Sequence, residues 1–371
     1  MPSLSVAVFA HTPPARIAAQ LTPLRAVVDE IVVAIDDTAA DTDLTPLEGI
    51  ADIAIVAPFE WPLESNLEWL QRQCSGDWVL RLDGDEFASR ALLDLLAGNE
   101  WYRGVTHSYV PRRWLVDGGR SWIRSNPWWP DPQLRFVKND PGLVTVQRRA
   151  HGRIDVSGPH KVLPAPIYHT DIIDSELGVR QAKAHRYLEM SPDLRAPSGH
   201  DMTIYYTPEL EMPAPTVLPV PADDLPFVDA AVANIVRPRR SPTPSVGANH
   251  APATPEEMTV KLIDPECAGY AGARVEFLAT ITNTGSEPLD PGSEHPVRLG
   301  ARWFGDGPDV LGEARADIPY PLESGDSVTV LFASEIPEEL DTYTLVIGGV
   351  AEGSHWFKPS LTHRFDAMTS P

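Results

Sequence analysis

The sequence predicts an open α/β sheet followed by an all-β sandwich, and the prediction rests on three observations. Through about residue 205, short β-branched runs alternate with stretches of helical spacing. Between 208 and 255 prolines crowd together, among them Pro213, Pro215, Pro219, Pro238, Pro242 and Pro244, which is linker composition. From 256 to 371, strand-length runs follow one another with turn signals and no helical spacing between them. The predicted boundaries are therefore 1–207, 208–255 and 256–371.

Taken in order, Ser5–Ala10 reads as a strand and Pro14–Val28 as a helix with proline near its start, where a missing N–H costs nothing. Glu30–Ile35 (EIVVAI) is almost wholly apolar and β-branched, as a strand covered on both faces of a parallel sheet must be, and Ile53–Ala57 repeats the signal. Asn66–Cys74 sets Leu67 and Leu70 at helical spacing, Asp77–Leu82 (DWVLRL) is a strand running into DGDEF, and Ser89–Leu96 is helical. Such alternation implies ligands at the carboxyl ends of the strands. Within the linker, Phe227–Val236 is a short amphipathic helix. In the last part Arg274–Thr282, Val297–Phe304, Ser327–Phe332 and Thr342–Ile347 are strands, with a turn at Asn283-Thr284-Gly285.

Hydrophobic residues make up 43% and charged residues 22% of the 371, and no apolar run approaches the ~18 to 20 residues of a membrane-spanning helix. The start alternates Leu4, Val6, Val8 without a basic stretch before an apolar one, so no secretory signal is expected and the predicted location is cytoplasmic. Two cysteines, Cys74 and Cys267, make neither a disulfide framework nor a zinc site. The net charge of -22 argues against nucleic acid or an anionic membrane as a partner. Residues 256–371 supply -13 of it, with 20 acids and 7 basic residues. From Arg112 to Lys161, by contrast, ten basic residues face four acids, an island suited to an anionic ligand or to pairing with acids elsewhere.

The strongest chemical signal is Asp83-Gly84-Asp85-Glu86, directly after an apolar strand. Two carboxylates one residue apart at a strand end can share a divalent cation, and hard oxygen ligands favour Mg²⁺ or Mn²⁺ completed by phosphate oxygens. A solvated acidic turn is the plain alternative.

The segment GDWVLRLDGDEF, with the first strand SVAVFAHT and a second strand ending in EIVVAIDDTAADTD, resembles the front half of a family 2, A-type-fold glycosyltransferase. The resemblance implies a nucleotide-sugar-binding fold, with Asp36 or Asp37 at the nucleoside and Asp83 and Asp85 at the metal and diphosphate. WWPDPQLRF (128–136) resembles a stretch of glycosyltransferases of lipopolysaccharide core assembly, in many of which a His-Glu pair follows; here Ala150-His151-Gly152 keeps only the His. Ile167-Tyr168-His169 and the basic residues Arg180, Lys183 and Arg186 resemble later parts of that family. The run from Val297 to Phe357 is similar to an immunoglobulin-like module on bacterial glycosyltransferases and O-antigen export proteins, which implies glycan binding or docking by analogy.

The activity so implied is inverting, metal-dependent transfer of a sugar from a nucleoside diphosphate sugar to a saccharide or glycan acceptor in bacterial glycan synthesis. Without a membrane span, any attachment to glycan-assembly machinery is peripheral. The acceptor hydroxyl must lose its proton as it attacks, and Asp131 is the first general-base candidate and His151 the second. Arg135 either clamps a phosphate or pairs with an acid. Trp114, Trp122, Trp128 and Trp129 suit stacking on an acceptor sugar or core packing. Two rivals are a non-catalytic glycan-binding protein on the same fold, motivated by Gly152, and a sugar nucleotidyltransferase. The latter lacks its Gly-rich, Lys-containing loop, since HTPPAR follows the first strand.

Overall fold

A strand with sheet neighbours on both edges and cover on both faces shows no solvent side, and Leu4–Ala10 (β1) is buried at every residue. Pro14–Leu21 (α1) follows, then Glu30–Asp36 (β2), Ile53–Ala57 (β3), Leu67–Arg72 (α2), Trp78–Asp83 (β4), Glu86–Ala88 (β5) and Arg90–Gly98 (α3). β1 pairs in parallel with β2 on one side and β4 on the other, and β3 continues the parallel order beyond β2. The computed structural model describes residues 2–39, 41–60, 63–98, 101–146, 154–190, 202–211, 215–233, 258–293, 296–307, 309–339, 341–352, 355–357 and 359–369. The described residues of Met1–Ile123, Asp131–Arg195 and Asp201–Thr243 form one unit, and those of Arg124–Pro130, Ala196–His200 and Pro244–Pro371 a second.

The first unit is mixed α/β. After α3 the chain departs from strand–helix alternation: His107–Val116 (β6), Ser121–Ile123 (β7), Pro132–Lys138 (β8), Val144–Val146 (β9), Ile154–Val156 (β10), His160–Val162 (β11) and Ile167–His169 (β12) precede the helices Asp171–Asp174 (α4), Leu177–Met190 (α5) and Pro208–Glu211 (α6). β8 lies antiparallel between β4 and β6, so the parallel half of the sheet passes directly into an antiparallel half. β12 closes against β5 and the far end of β6.

The first helix ends earlier than its spacing predicts. Pro23 has no N–H to continue the ladder, and Thr22–Ala26 tightens into a 3₁₀ stretch. The proline-dense stretch is also more ordered than linker composition predicts, because Val217–Pro219 (β13) and Leu225–Val232 (α7) belong to the first unit. Asp224 anchors them: its carboxylate, 4% exposed, accepts the Tyr168 hydroxyl and the Arg90 N–H, each at 2.6 Å. The predicted helix over Phe227–Val236 corresponds to α7, and residues 234–257 lie outside the described ones.

Ala7, Phe9, Val32, Ala34, Val79 and Val137 form one core face, and α2 covers it with Leu70. Truncating a buried leucine such as Leu70 to alanine costs about 2–5 kcal/mol. No described helix is long and apolar enough to cross a membrane.

The second unit is all β. Its strands are Met258–Ile263 (β14), Ala268–Tyr270 (β15), Arg274–Asn283 (β16), Val297–Phe304 (β17), Val310–Asp317 (β18), Ser327–Glu335 (β19), Thr342–Ala351 (β20), His355–Trp356 (β21) and Leu361–Met368 (β22). β14, β16 and β19 pair antiparallel, while β18, β17, β20 and β22 pair in a second sheet, and the two enclose one core. Trp303 is fully buried there and donates Nε1–H to Ser334 Oγ at 2.7 Å. The turn after β16 is an Asx turn, with Asn283 Oδ1 accepting the Gly285 N–H at 2.9 Å. Glu266 is 4% exposed, and its Oε1 has no hydrogen-bond partner. Burial pushes its carboxyl up to about 8 against the pull of Arg124.

Candidate functional site

Because β2 and β4 flank β1 in parallel, their carboxyl ends bring Asp36 and Asp83 to the same edge of the sheet. β4 then turns at once through Gly84 into β5. A Cβ on Gly84 would lie 2.8 Å from both Ala10 Cβ and Thr12 Oγ1, so only glycine lets the turn approach the end of β1.

Beneath the turn lies a buried ionic network. Glu86, 1% exposed, accepts Arg135 Nε at 2.8 Å and Nη2 at 2.6 Å, and Arg112 Nη1 at 3.2 Å. Arg135 Nη2 also donates to Asp83 Oδ2 at 2.5 Å. Burial alone disfavours the charged forms of Arg112 and Arg135, but the carboxylates of Asp83, Glu86 and, for Arg112, Asp131 more than compensate and raise both. Asp83 answers in kind: burial opposes its ionisation, and Arg135 and Arg81 outweigh it and lower its pKa.

Asp85 is held from the other side. Its Oδ2 lies 3.2 Å from His169 Nε2 on β12, and its backbone carbonyl accepts the Thr170 N–H at 3.0 Å and hydroxyl at 3.1 Å. Burial again opposes ionisation, and His169, Lys183 and Arg112 hold the carboxyl far below the usual range. Lys183 on α5 pairs with Asp171 at 2.6 Å, and Arg16 on α1 donates to Thr170 and Asp174, each at 2.5 Å.

Asp83 and Asp85 are about a quarter exposed, 27% and 26%, and neither Oδ1 accepts a hydrogen bond among the described residues. These two open oxygens fit a hard divalent cation. Among the described residues no group of three or more His, Cys, Asp or Glu side chains is arranged to hold one, so further ligands would have to come from outside the described residues, such as phosphate oxygens.

At the end of β2 the two aspartates differ. Asp36 is buried and its Oδ1 accepts the Thr38 N–H at 2.6 Å and hydroxyl at 2.7 Å, while Oδ2 meets His11 Nδ1 at 3.1 Å. Burial pushes its carboxyl up, but the Thr38 and His11 bonds prevail and lower it. Asp37 is exposed, with Oδ1 accepting the Phe59 N–H at 3.3 Å. Asp37 is therefore the more accessible of the pair.

Other expected residues take different roles from those the sequence suggested. Asp131, the first base candidate, is 7% exposed and both oxygens are engaged: Oδ2 by Arg112 Nε at 2.7 Å and Trp114 Nε1 at 2.6 Å, Oδ1 by Gln133 at 2.8 Å. With both oxygens filled, neither is turned toward an acceptor hydroxyl. Arg135 pairs with acids and has no bond to spare for a phosphate through Nε or Nη2. Trp114, Trp122, Trp128 and Trp129 are each at most 2% exposed, so they pack in cores and offer no face to a sugar. His151 lies outside the described residues, as do Arg148, Arg149 and Arg153 of the basic island. Of the island's other members, Arg112 and Arg135 face Glu86, and Arg120 faces Asp229.

Sequence reasoning passed over Glu86, Arg112 and Arg81. Glu86 was visible as the fourth residue of DGDE, but only the fold turns it inward under the two arginines. Arg112 stood in the basic island without a mark to set it apart. Arg81 sits two residues before Asp83 and so on the same face of β4. Burial and the nearby Arg135 pull its guanidinium down to about 10.

No protein-family model and no curated protein matches the chain. Among solved structures, the chain is similar to TarS from S. aureus at 11% identity and a TM-score of 0.32, over 98% of this chain and 77% of that one. It is similar to glucosyl-3-phosphoglycerate synthase from Mycobacterium tuberculosis, solved with Mg²⁺ and UDP, at 19% identity and a TM-score of 0.24, over 30% of this chain. A family 123 glycoside hydrolase from Clostridium perfringens matches at 10% identity and a TM-score of 0.20, over 28% of this chain. The chain spans 44% of the synthase and 22% of the hydrolase, and all three TM-scores lie below 0.5.

Proposed function

We infer that the chain is an inverting, metal-dependent glycosyltransferase of A-type fold that moves a sugar from a nucleoside diphosphate donor to a saccharide acceptor in bacterial glycan synthesis. The observation that carries this reading is the pair of open carboxylate oxygens on Asp83 and Asp85, at the carboxyl end of a parallel strand and one strand from β2 with Asp36 and Asp37. In this reading Asp83 and Asp85 hold Mn²⁺ or Mg²⁺, which when bound offsets the negative charge that grows on the departing diphosphate. Asp37, with Asp36 behind it, meets the nucleoside. Glu86 and Asp131 keep Arg112 and Arg135 fixed beneath the site, so that its electrostatic field is set before substrate arrives. The acceptor's proton goes to a base across from the leaving group, and the three donors on Asp131 favour His151 over it. Residues 256–371 act as an immunoglobulin-like module that docks glycan. The protein works in the cytoplasm, peripheral to glycan-assembly machinery.

The test is donor turnover. The protein is incubated with nucleoside diphosphate sugars of each base, Mn²⁺ or Mg²⁺ and oligosaccharide acceptors, and released nucleoside diphosphate is measured. Turnover that needs metal and falls about a hundredfold or more in Asp83→Ala and Asp85→Ala supports the reading. The engagement of both Asp131 oxygens, together with Gly152 where many members of the family it resembles have a Glu, favours one alternative, a glycan-binding protein without turnover. Oligosaccharide binding with no turnover of any donor decides for that alternative.

A further inference from the structure

Arg81 makes no hydrogen bond or ion pair among the described residues, and its Nε is buried without a partner. Asp83, Glu86 and Glu64 lie near enough to favour its charged form, but Asp83 and Glu86 bond to Arg135 and none of the three bonds to Arg81 among the described residues. A partly buried guanidinium with no bonded counter-charge is free to take an anion from outside the protein. Arg81 lines a cleft between the sheet and α2 that encloses about 30 Å³ and opens to solvent. Its walls include Leu70, Val79 and Leu134. The other polar side chains there have partners, Gln71 on Asn139 at 3.3 Å and Arg135 on the two carboxylates. An apolar cleft with one uncommitted cation selects for charge at one end and carbon at the other.

The geometry points to this cleft as a binding site for a small oxyanion with an apolar body, a carboxylate or a phosphate monoester, whose charged end is held by Arg81. The site is separate from the open oxygens of Asp83 and Asp85 and stands whether or not the chain transfers sugar. It adjoins them through Arg135, which touches both the cleft and Asp83.

Four probes separate charge from body on the full chain without nucleotide or metal: benzoate, phenyl phosphate, the neutral benzyl alcohol, and inorganic phosphate, which has no apolar body. Binding is followed by ¹⁵N NMR of arginine Nε–H groups, the Arg81 signal being the one absent from Arg81→Lys. The Arg81 signal should shift on titration with benzoate or phenyl phosphate, with Kd of about 1 mM or tighter, and the two bodyless or uncharged probes should bind about tenfold more weakly. The stronger of the two aryl probes tells whether carboxylate or phosphate is preferred. Arg81→Met should weaken aryl anion binding about tenfold or more while leaving the unfolding midpoint near that of the parent. Absence of any Arg81 shift with either aryl anion at about 10 mM overturns the proposal. Equal binding of benzyl alcohol and benzoate, or undiminished anion binding in a folded Arg81→Met, does so as well.

Discussion

Arg112 Nε lies 2.7 Å from Asp131 Oδ2, and both side chains are nearly out of reach of water. With Trp114 donating to the same oxygen, the pair locks a cation from β6 against the start of β8, beneath the acidic turn. Removing the acid leaves Arg112 only its 3.2 Å bond to Glu86, an acid already shared with Arg135. Asp131→Ala is expected to lower stability by about 3–5 kcal/mol, the cost of a buried partner lost, whereas an exposed ion pair would give under about 1 kcal/mol. Chemical denaturation of the two proteins measures the difference.

The turn at Gly84 has no room for a side chain. Gly84→Ala should cost about 1–3 kcal/mol, because Ala10 ends β1 and its Cβ cannot simply swing aside. A midpoint of unfolding unchanged from the parent would show that the turn is looser than the contacts imply.

Glu266 makes the second unit pH-sensitive. Its carboxyl sits near 8 in the folded state against 4.5 for an ordinary glutamate. Between these values the folded chain holds a proton that the unfolded chain releases, so this group's effect is to lower stability as pH rises, by about 1.4 kcal/mol per unit at most, until pH passes 8. His363 faces Glu266, and burial lowers its pKa below 6.5. The imidazole is therefore mostly neutral in the folded chain above that pH, while in the unfolded chain it is half protonated at 6.5 and loses its proton over the next unit; Glu266→Gln shares that effect, so its difference from the parent between pH 6.5 and 8 isolates the carboxyl. There the parent should lose stability with rising pH and Glu266→Gln should lose less, the two diverging toward pH 8. Parallel profiles would place the Glu266 carboxyl in the ordinary range.

Much of this was legible in the residues, unevenly. β1, β2 and β4 announced themselves because strands covered on both faces must be apolar, and the strand Val297–Phe304 was read to the residue. The later strands of the first unit were not, since β9 to β12 are only three residues each and carry no period to count. The order of residues 215–233 was hidden for another reason: Asp224 bonds to Tyr168 and Arg90, partners 56 and 134 residues away, which composition cannot see. In the site the acids of DGDE stood out, but their sharing-out did not. Whether a carboxylate is open like Asp85 Oδ1 or filled like Asp131 depends on which arginine the fold delivers to it.

In the proposed function Asp83 and Asp85 form a metal-dependent nucleoside diphosphate site. Thermal unfolding with uridine, thymidine, guanosine, adenosine and cytidine diphosphates, each with and without Mn²⁺, tests it without knowing the acceptor. Ligand that binds only the folded state raises the midpoint by mass action, by about 2.7 kcal/mol of stability at a hundred times Kd. A rise is expected with one base, requiring the metal and disappearing in Asp85→Ala, whose own midpoint without ligand stays near the parent's because the side chain is partly exposed. No rise with any of the five diphosphates, or a rise that Asp85→Ala retains in full, would contradict it.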